Sequence, residues 1–342
     1  MRMKAAWVVL LLLFVSGCGK QGYEVIYQKE NTAPEGTKQK QERPYTIVLV
    51  PKIMNIPYFN AVQEGAAEAG EALGVNVRYE GPVAAEASQQ TKIIEKLIAE
   101  KVDVIAVSAN DPEGLLPVLE KAREQHIHVI TWDADTRQEG REFFVNMVDP
   151  EALGRHLMDT LAWNTNEEGE FAIITGSKTA ANLNEWLKWI QAQQRDNYPK
   201  MKLVQIAESD DDPQKAYAAA KEILQQHPRL KGIIGNSSVG PPAAAKAVKD
   251  LKLDGKVAVV GLSSPNPMNE YLKDGSAQMT TLWSPKKLGY LTVVLAHDLL
   301  QGKLPADRED VAGVGKIRVK GDVVIMGEPI DFTKENVDQY DF

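Results

Sequence analysis

A doubly wound α/β architecture in two lobes is predicted by three observations. Short β-branched runs alternate with helix-length amphipathic segments from residue 45 onward. The alternation restarts after Asp149-Pro150. The 342 residues are too many for one simple core and suit two domains.

The first series runs as follows. Residues 45–50, YTIVLV, form a buried strand. Residues 60–74 place Ala and Leu at helical spacing and stop at Gly74. Residues 75–79 alternate as a second strand. Residues 89–101 put Ile93, Ile94, Leu97 and Ile98 on one helical face. Residues 102–108 are a third strand, 112–125 a helix with Pro112 at its start, and 127–132 a fourth strand. The second series has strands at 170–175, 201–207, 230–235 and 257–262 with helices between them. Asp residues precede the helix that starts near Pro213, where they favour the helix dipole. Residues 277–283 read as a further strand and 284–303 as a helix. A small hairpin turns at Lys320-Gly321. Late segments that cross back imply a hinge between lobes.

The composition narrows the function. The chain is 44% hydrophobic and 25% charged, ordinary for a globular protein. A net charge of −8 disfavours nucleic acid as a partner. One Cys excludes an internal disulfide and any Cys-x-x-Cys motif. The five His leave little room for a His-based metal centre. His126 and His128 share a predicted strand face but lack a third ligand. No cofactor and no metal are expected.

The single Cys lies at the end of a secretory leader. Arg2 and Lys4 precede an apolar run from Ala5 to Val15, too short to span a bilayer as a helix. The following VSGC resembles a bacterial lipobox. Lipidation at Cys18 would hold the mature chain on the outer side of the cell membrane. The expected organisation is a leader over 1–17 and a tether over 18–44. A first lobe spans 45–148 plus about 284–305, and a second lobe 149–283 plus about 306–330. A tail covers 331–342.

In open α/β sheets, ligands bind beyond the carboxyl ends of the strands. Those ends carry Lys52, Asn55, Tyr58 and Phe59, then Asn110, then Asp133 and Asp135 in VITWDADT. In the second half they carry Asn182, Asn236, Ser238, Ser263 and Trp283. Carboxylates, amides and aromatic faces together suit a sugar: the first two bond its hydroxyls and the rings cover its C–H face. Asp133 and Asp135 could also form a glycosidase pair, but acids at strand ends are more often hydrogen-bonders or caps. No Gly-x-Ser-x-Gly elbow and no Gly-x-Gly-x-x-Gly turn are present. GVGK at 313–316 lacks the P-loop spacing. SDDDP at 209–213 lacks the Gly and closing Glu of a calcium loop and reads as a helix cap. No catalytic residue is assigned, so an enzyme is not expected.

Longer stretches carry a resemblance: PKIMNIPYFNAVQEGAAEAGEALGV, YEGP, VDVIAVSANDPEGLLPVLEKA, VITWDADT, NLNEWL, VVGLSSPNPM and NVDQYDF. Over 45–342 the chain resembles the solute-binding lipoproteins of bacterial ABC sugar importers, of the ribose-binding-protein type. It looks most like the rhamnose-binding and autoinducer-2 (LsrB-like) receptors. The resemblance implies a type I periplasmic binding protein fold, with two Rossmann-like lobes joined by a multi-strand hinge. It implies a monomer that closes on a small ligand and docks on a membrane permease. Lys52, Tyr58 and Phe59 match the ligand-contacting loop, Asp133 the acid that holds ligand hydroxyls, and Asn236 a second-lobe amide. Autoinducer-2 receptors carry Asp-Gln where this chain has Asn182-Leu183, and Pro and Ala at Asn236 and Ser238. A neutral sugar such as rhamnose is therefore favoured over autoinducer-2. Ser263 stands where ribose and galactose binders often keep an Asp. The same clamp could instead present its ligand to a membrane histidine kinase or chemoreceptor. A LacI-type regulator shares the fold but needs a DNA-binding N-terminus, which the leader replaces.

Overall fold

The computed structural model describes residues 43–342. The leader, Cys18 and nearly all of the tether lie outside the described residues. In the first lobe the order is β1 (Thr46–Val50), α1 (Pro57–Leu73), β2 (Asn76–Tyr79), α2 (Ala87–Glu100), β3 (Val104–Val107), α3 (Leu116–Glu124), β4 (His128–Trp132) and β5 (Phe144–Asn146). The second lobe follows with α4 (Pro150–Asn164), β6 (Gly169–Thr175), α5 (Ala181–Asn197), β7 (Met201–Glu208), α6 (Pro213–Gln226), β8 (Leu230–Gly235), α7 (Gly240–Asp250), β9 (Ala258–Leu262), α8 (Pro265–Asp274) and β10 (Met279–Leu282). The C-terminal segment adds α9 (Pro285–Leu300), β11 (Asp310–Val311), β12 (Gly315–Lys316), β13 (Arg318–Lys320), β14 (Val323–Ile325) and β15 (Ile330–Phe332).

One sheet has the order β13-β14-β5-β4-β3-β1-β2 and the other β15-β10-β9-β8-β6-β7. Both are parallel except at one edge, where β13 runs antiparallel to β14 and β15 antiparallel to β10. Helices flank both sheets, as the alternating pattern requires. Strands such as β3 and β9 are buried throughout, so they read as unbroken apolar runs. The chain crosses between sheets after β5, after β10 and after β14. After the second crossing, α9 packs on α1 of the first lobe. Two glycines permit that close approach. A Cβ on Gly65 would lie 1.8 Å from the Lys286 carbonyl oxygen, and one on Gly289 2.0 Å from that of Val62.

Three expectations need correction. The sequence groups the hairpin with 306–330 in the second lobe. Instead β14 pairs with β5 in the first sheet. Bonds at both ends hold it there: the Phe144 amide donates to the Asp322 carbonyl at 2.9 Å and the Met326 amide to the Asn146 carbonyl at 2.9 Å, while Arg141 Nη1 meets the Asp322 carboxylate at 2.7 Å. The helix expected from Pro112 starts at Leu116. Asp111 Oδ1 accepts from the amides of Glu113 and Gly114, a turn that delays the helix until Pro117 can occupy its first turn. His126 has φ +61° and lies in the turn before β4, so it shares no strand face with His128.

The tail is fixed to the second lobe. Phe332, Tyr340 and Phe342 form an edge-to-face cluster with centroids 4.8–6.3 Å apart. Asn266 donates its amide to the Phe342 carbonyl at 3.1 Å.

Candidate functional site

The carboxyl ends of the two sheets face a narrow interlobe cavity, about 360 Å³ of space between the lobes counted together with its opening to solvent. Its wall includes Lys52, Tyr58, Phe59 and Asp133 from the first lobe and Asn182, Trp186, Asp211 and Ser238 from the second. Trp283 completes it at the second crossing.

Asp133 is the hub on the first-lobe side. It follows β4 in a left-handed conformation, φ +60°, which Asp tolerates better than most residues. Its Oδ1 accepts from the Tyr58 hydroxyl at 3.0 Å and its Oδ2 from Ser108 Oγ at 2.6 Å. Trp283 Nε1 donates in turn to the Tyr58 oxygen at 3.1 Å. Burial, and after it the Asp133 charge, push the Tyr58 phenol well above its ordinary value, so it stays a hydrogen-bond donor. The sequence alone suggests that Asp133 contributes little to the unliganded fold. These two buried bonds overturn that expectation.

Lys52 stands between the lobes. Its Nζ lies 3.7 Å from Asp133 Oδ2 and 3.8 Å from Asp211 Oδ2, and all three side chains are only 4–5% exposed. A further bond joins the lobes where Thr179 Oγ1 donates to the Asn110 carbonyl at 2.6 Å. Aromatic rings make the rest of the wall. Tyr58 meets Trp283 edge-on at 6.0 Å, and Trp186 lies 5.7 Å from Trp283.

Several expected residues lie off the cavity wall. Asn55 is exposed, at φ +65°. Asn110 is buried behind the wall, where its Nδ2 donates to the Lys52 carbonyl at 2.8 Å and so shapes the Lys52 loop. Asp135 is engaged by the buried Arg141, with Nε to Oδ1 at 2.7 Å and Nη2 to Oδ2 at 2.8 Å. Asn236 donates to Thr175 Oγ1 at 3.2 Å and to the Leu183 carbonyl at 3.0 Å, inside the second lobe. Ser263 donates to the Ser238 carbonyl at 2.9 Å and lines a neighbouring groove that shares Tyr58 and Ser238 with the cavity. Trp132 packs beneath the cleft against Phe59, its Nε1 donating to the Ala106 carbonyl at 3.0 Å.

Sequence reasoning missed Asp211, Ser237 and the wall position of Trp186. Only Asp212 of SDDDP caps α6, accepting from the Lys215 amide at 2.8 Å. The surplus of acids over what one cap needs was the available signal.

Comparison with known proteins fits this geometry. Residues 47–304 match the family model described as "Periplasmic binding protein domain". The chain belongs to that family. Among related binding proteins, the D-ribose/D-allose-binding protein of Pseudomonas aeruginosa is 27% identical over 289 residues, covering 79% of this chain and 86% of the other. The ribose import binding protein RbsB of Bacillus subtilis is 23% identical over 273 residues, with the same coverage of 79% and 86%. Two solved structures superpose well. A solute-binding protein from Clostridium phytofermentas with bound L-rhamnose gives a TM-score of 0.83 at 30% identity, covering 87% of this chain and 98% of the other. LsrB from Clostridium saccharobutylicum in complex with AI-2 gives 0.82 at 25% identity, covering 87% and 100%. Membership makes the two-lobed unit a solute-binding module of the periplasmic binding protein family. No helix among the described residues is long and apolar enough to cross a membrane.

Proposed function

We propose that this binding protein captures a small neutral sugar between its lobes and delivers it to an ABC importer. A lipid on Cys18 would hold it at the outer face of the cell membrane. The observation that carries the reading is the mixed wall of the interlobe cavity: Lys52, Asp133 and Asp211 beside Tyr58, Trp186 and Trp283. Charged groups are arranged for hydroxyls, and aromatic faces for a ring's C–H surface.

Among sugars, a 6-deoxyhexose such as L-rhamnose fits best. Asn182 Oδ1 accepts from the Leu183 amide, which leaves its NH2 for a ligand oxygen. Leu183, Leu262 and Leu282 add aliphatic wall for a methyl group. The likeness to an L-rhamnose-bound structure at 30% identity supports the same choice.

A thermal-shift panel of L-rhamnose, autoinducer-2, D-ribose, D-allose and D-arabinose tests it. A ligand at a hundred times its Kd should add about 2.7 kcal/mol of stability. L-rhamnose should give the largest shift. A shift with autoinducer-2 alone would reject the neutral-sugar reading. Cys18→Ser should release the chain from membranes, and a variant that still sediments with them would reject the anchor.

A further inference from the structure

Asp211 combines features that a folding sequence avoids. Asp210 and Asp211 are consecutive residues in the left-handed region, φ +52° and +55°. The Asp211 side chain is buried, and its Oδ2 has no hydrogen-bond partner in the protein. The nearest cation, Lys52 Nζ, is 3.8 Å away and shared with Asp133. Burial raises the carboxyl above its ordinary value, Lys52 opposes that, and Asp133 adds to it. Two carboxylates against one ammonium leave the interlobe cavity one negative charge in excess.

The surroundings make room for this acid. A Cβ on Gly176 would lie 2.4 Å from Asp211 Oδ1, so the absent side chain at 176 is what admits the carboxylate. Capping of α6 falls to Asp212, so Asp211 has no role in starting that helix. Strain and a buried acid whose one cation is shared with a second carboxylate mark a functional position rather than a stabilising one.

We infer that Asp211 is the second-lobe residue that reads the ligand, its Oδ2 accepting a hydroxyl proton from the bound sugar when the lobes close. Asp133 grips the sugar from the first lobe and Asp211 from the second, with Lys52 between them. The excess negative charge selects hydroxyl-rich ligands and disfavours phosphorylated or acidic sugars. The inference rests on the sugar-binding reading and adds to it the residue that makes lobe closure ligand-dependent.

The test is Asp211→Asn in the intact chain, with the same five-ligand panel followed by calorimetry on the ligand that binds. The substitution keeps the volume and removes the charged acceptor. Affinity should fall about ten- to hundredfold, the effect of one charge-assisted hydrogen bond. The unliganded melting temperature should stay unchanged or rise, since one of two buried carboxylates sharing a single ammonium has been neutralised. Affinity within about threefold of the wild type would overturn the inference and leave the sugar reading standing. So would a drop of several degrees in the unliganded protein, which would make Asp211 structural. A wild-type chain that shifts with none of the four sugars would overturn the sugar reading first, and this inference with it.

Discussion

Asp133 offers two substitutions that separate ligand recognition from folding. Asp133→Asn keeps an oxygen for the Tyr58 hydroxyl now bonded at 3.0 Å, and its new NH2 can donate to Ser108 Oγ, now 2.6 Å away. What it loses is the charge beside Lys52 and a charged acceptor for ligand. A charge-assisted hydrogen bond contributes about 1.5–3 kcal/mol, so binding should weaken roughly ten- to hundredfold. Asp133→Ala removes the acceptor of both buried hydroxyls as well. Each stranded donor costs about 1–3 kcal/mol, so the unliganded protein should also melt several degrees lower. Calorimetry for the first variant and thermal melting for both would check this. Wild-type affinity in Asp133→Asn would refute the assignment of Asp133 as a ligand-gripping acid. An unchanged melting temperature in Asp133→Ala would refute the claim that its two bonds stabilise the empty fold.

Asp135→Ala should act in the opposite sense: it leaves the buried Arg141 guanidinium with Asp322 as its remaining carboxylate, costs about 1–3 kcal/mol in thermal or denaturant unfolding, and leaves ligand affinity within a few-fold. Gly289→Ala should cost about 1–3 kcal/mol, read as a lower melting temperature, because its Cβ would meet the Val62 carbonyl at 2.0 Å and force α1 from α9. A pH dependence follows from His156 and Asp331, whose Nε2 and Oδ1 are 2.8 Å apart and tie α4 to β15. The bond to Asp331 raises His156 above its ordinary 6.5 against the effect of burial, so its contribution is complete below that value and is lost as pH rises through the raised one. For Asp331, burial acts upward but the bonds from His156 and Thr281 outweigh it, so its contribution is lost as pH falls below the ordinary 3.8. Hydrogen-exchange protection of β15 should therefore be greatest between these limits and decline above neutrality.

The sequence exposed the fold because periodicity reports burial, and the buried parallel strands were unbroken apolar runs. It could not assign the hairpin to a lobe. Strands β13 and β14 have three residues each, too few for a pattern that selects a sheet edge. The pairing is set instead by Asp322 meeting Arg141 across 181 positions of chain. Of the residues named by the strand-end rule, Lys52, Tyr58, Phe59, Asp133, Asn182, Ser238 and Trp283 lie on the cavity wall, because residue type and topological position agreed there.

The rule failed where backbone direction, rather than position, decides which side chain reaches the cavity. Asp133 and Asp135 would share a face if the strand continued. Instead Asp133 turns left-handed, the Ala134 amide bonds back to the Trp132 carbonyl at 2.6 Å, and the two acids part. One faces the ligand cavity and the other faces Arg141. The same turn chemistry brings Asp211 inward beside a neighbour, Asp212, that only caps a helix. Asn55, Asp133 and Asp211 all adopt positive φ in loops that follow strands β1, β4 and β7. Asn and Asp are the non-glycine residues that tolerate this conformation best. The legible signal was thus present as residue type. An Asp beyond the carboxyl end of a strand, in excess of what the next helix needs for its cap, is a candidate for turning into the cleft. Asp133 and Asp211 both meet that description, while Asp135 and Asp212 are already engaged by Arg141 and by α6.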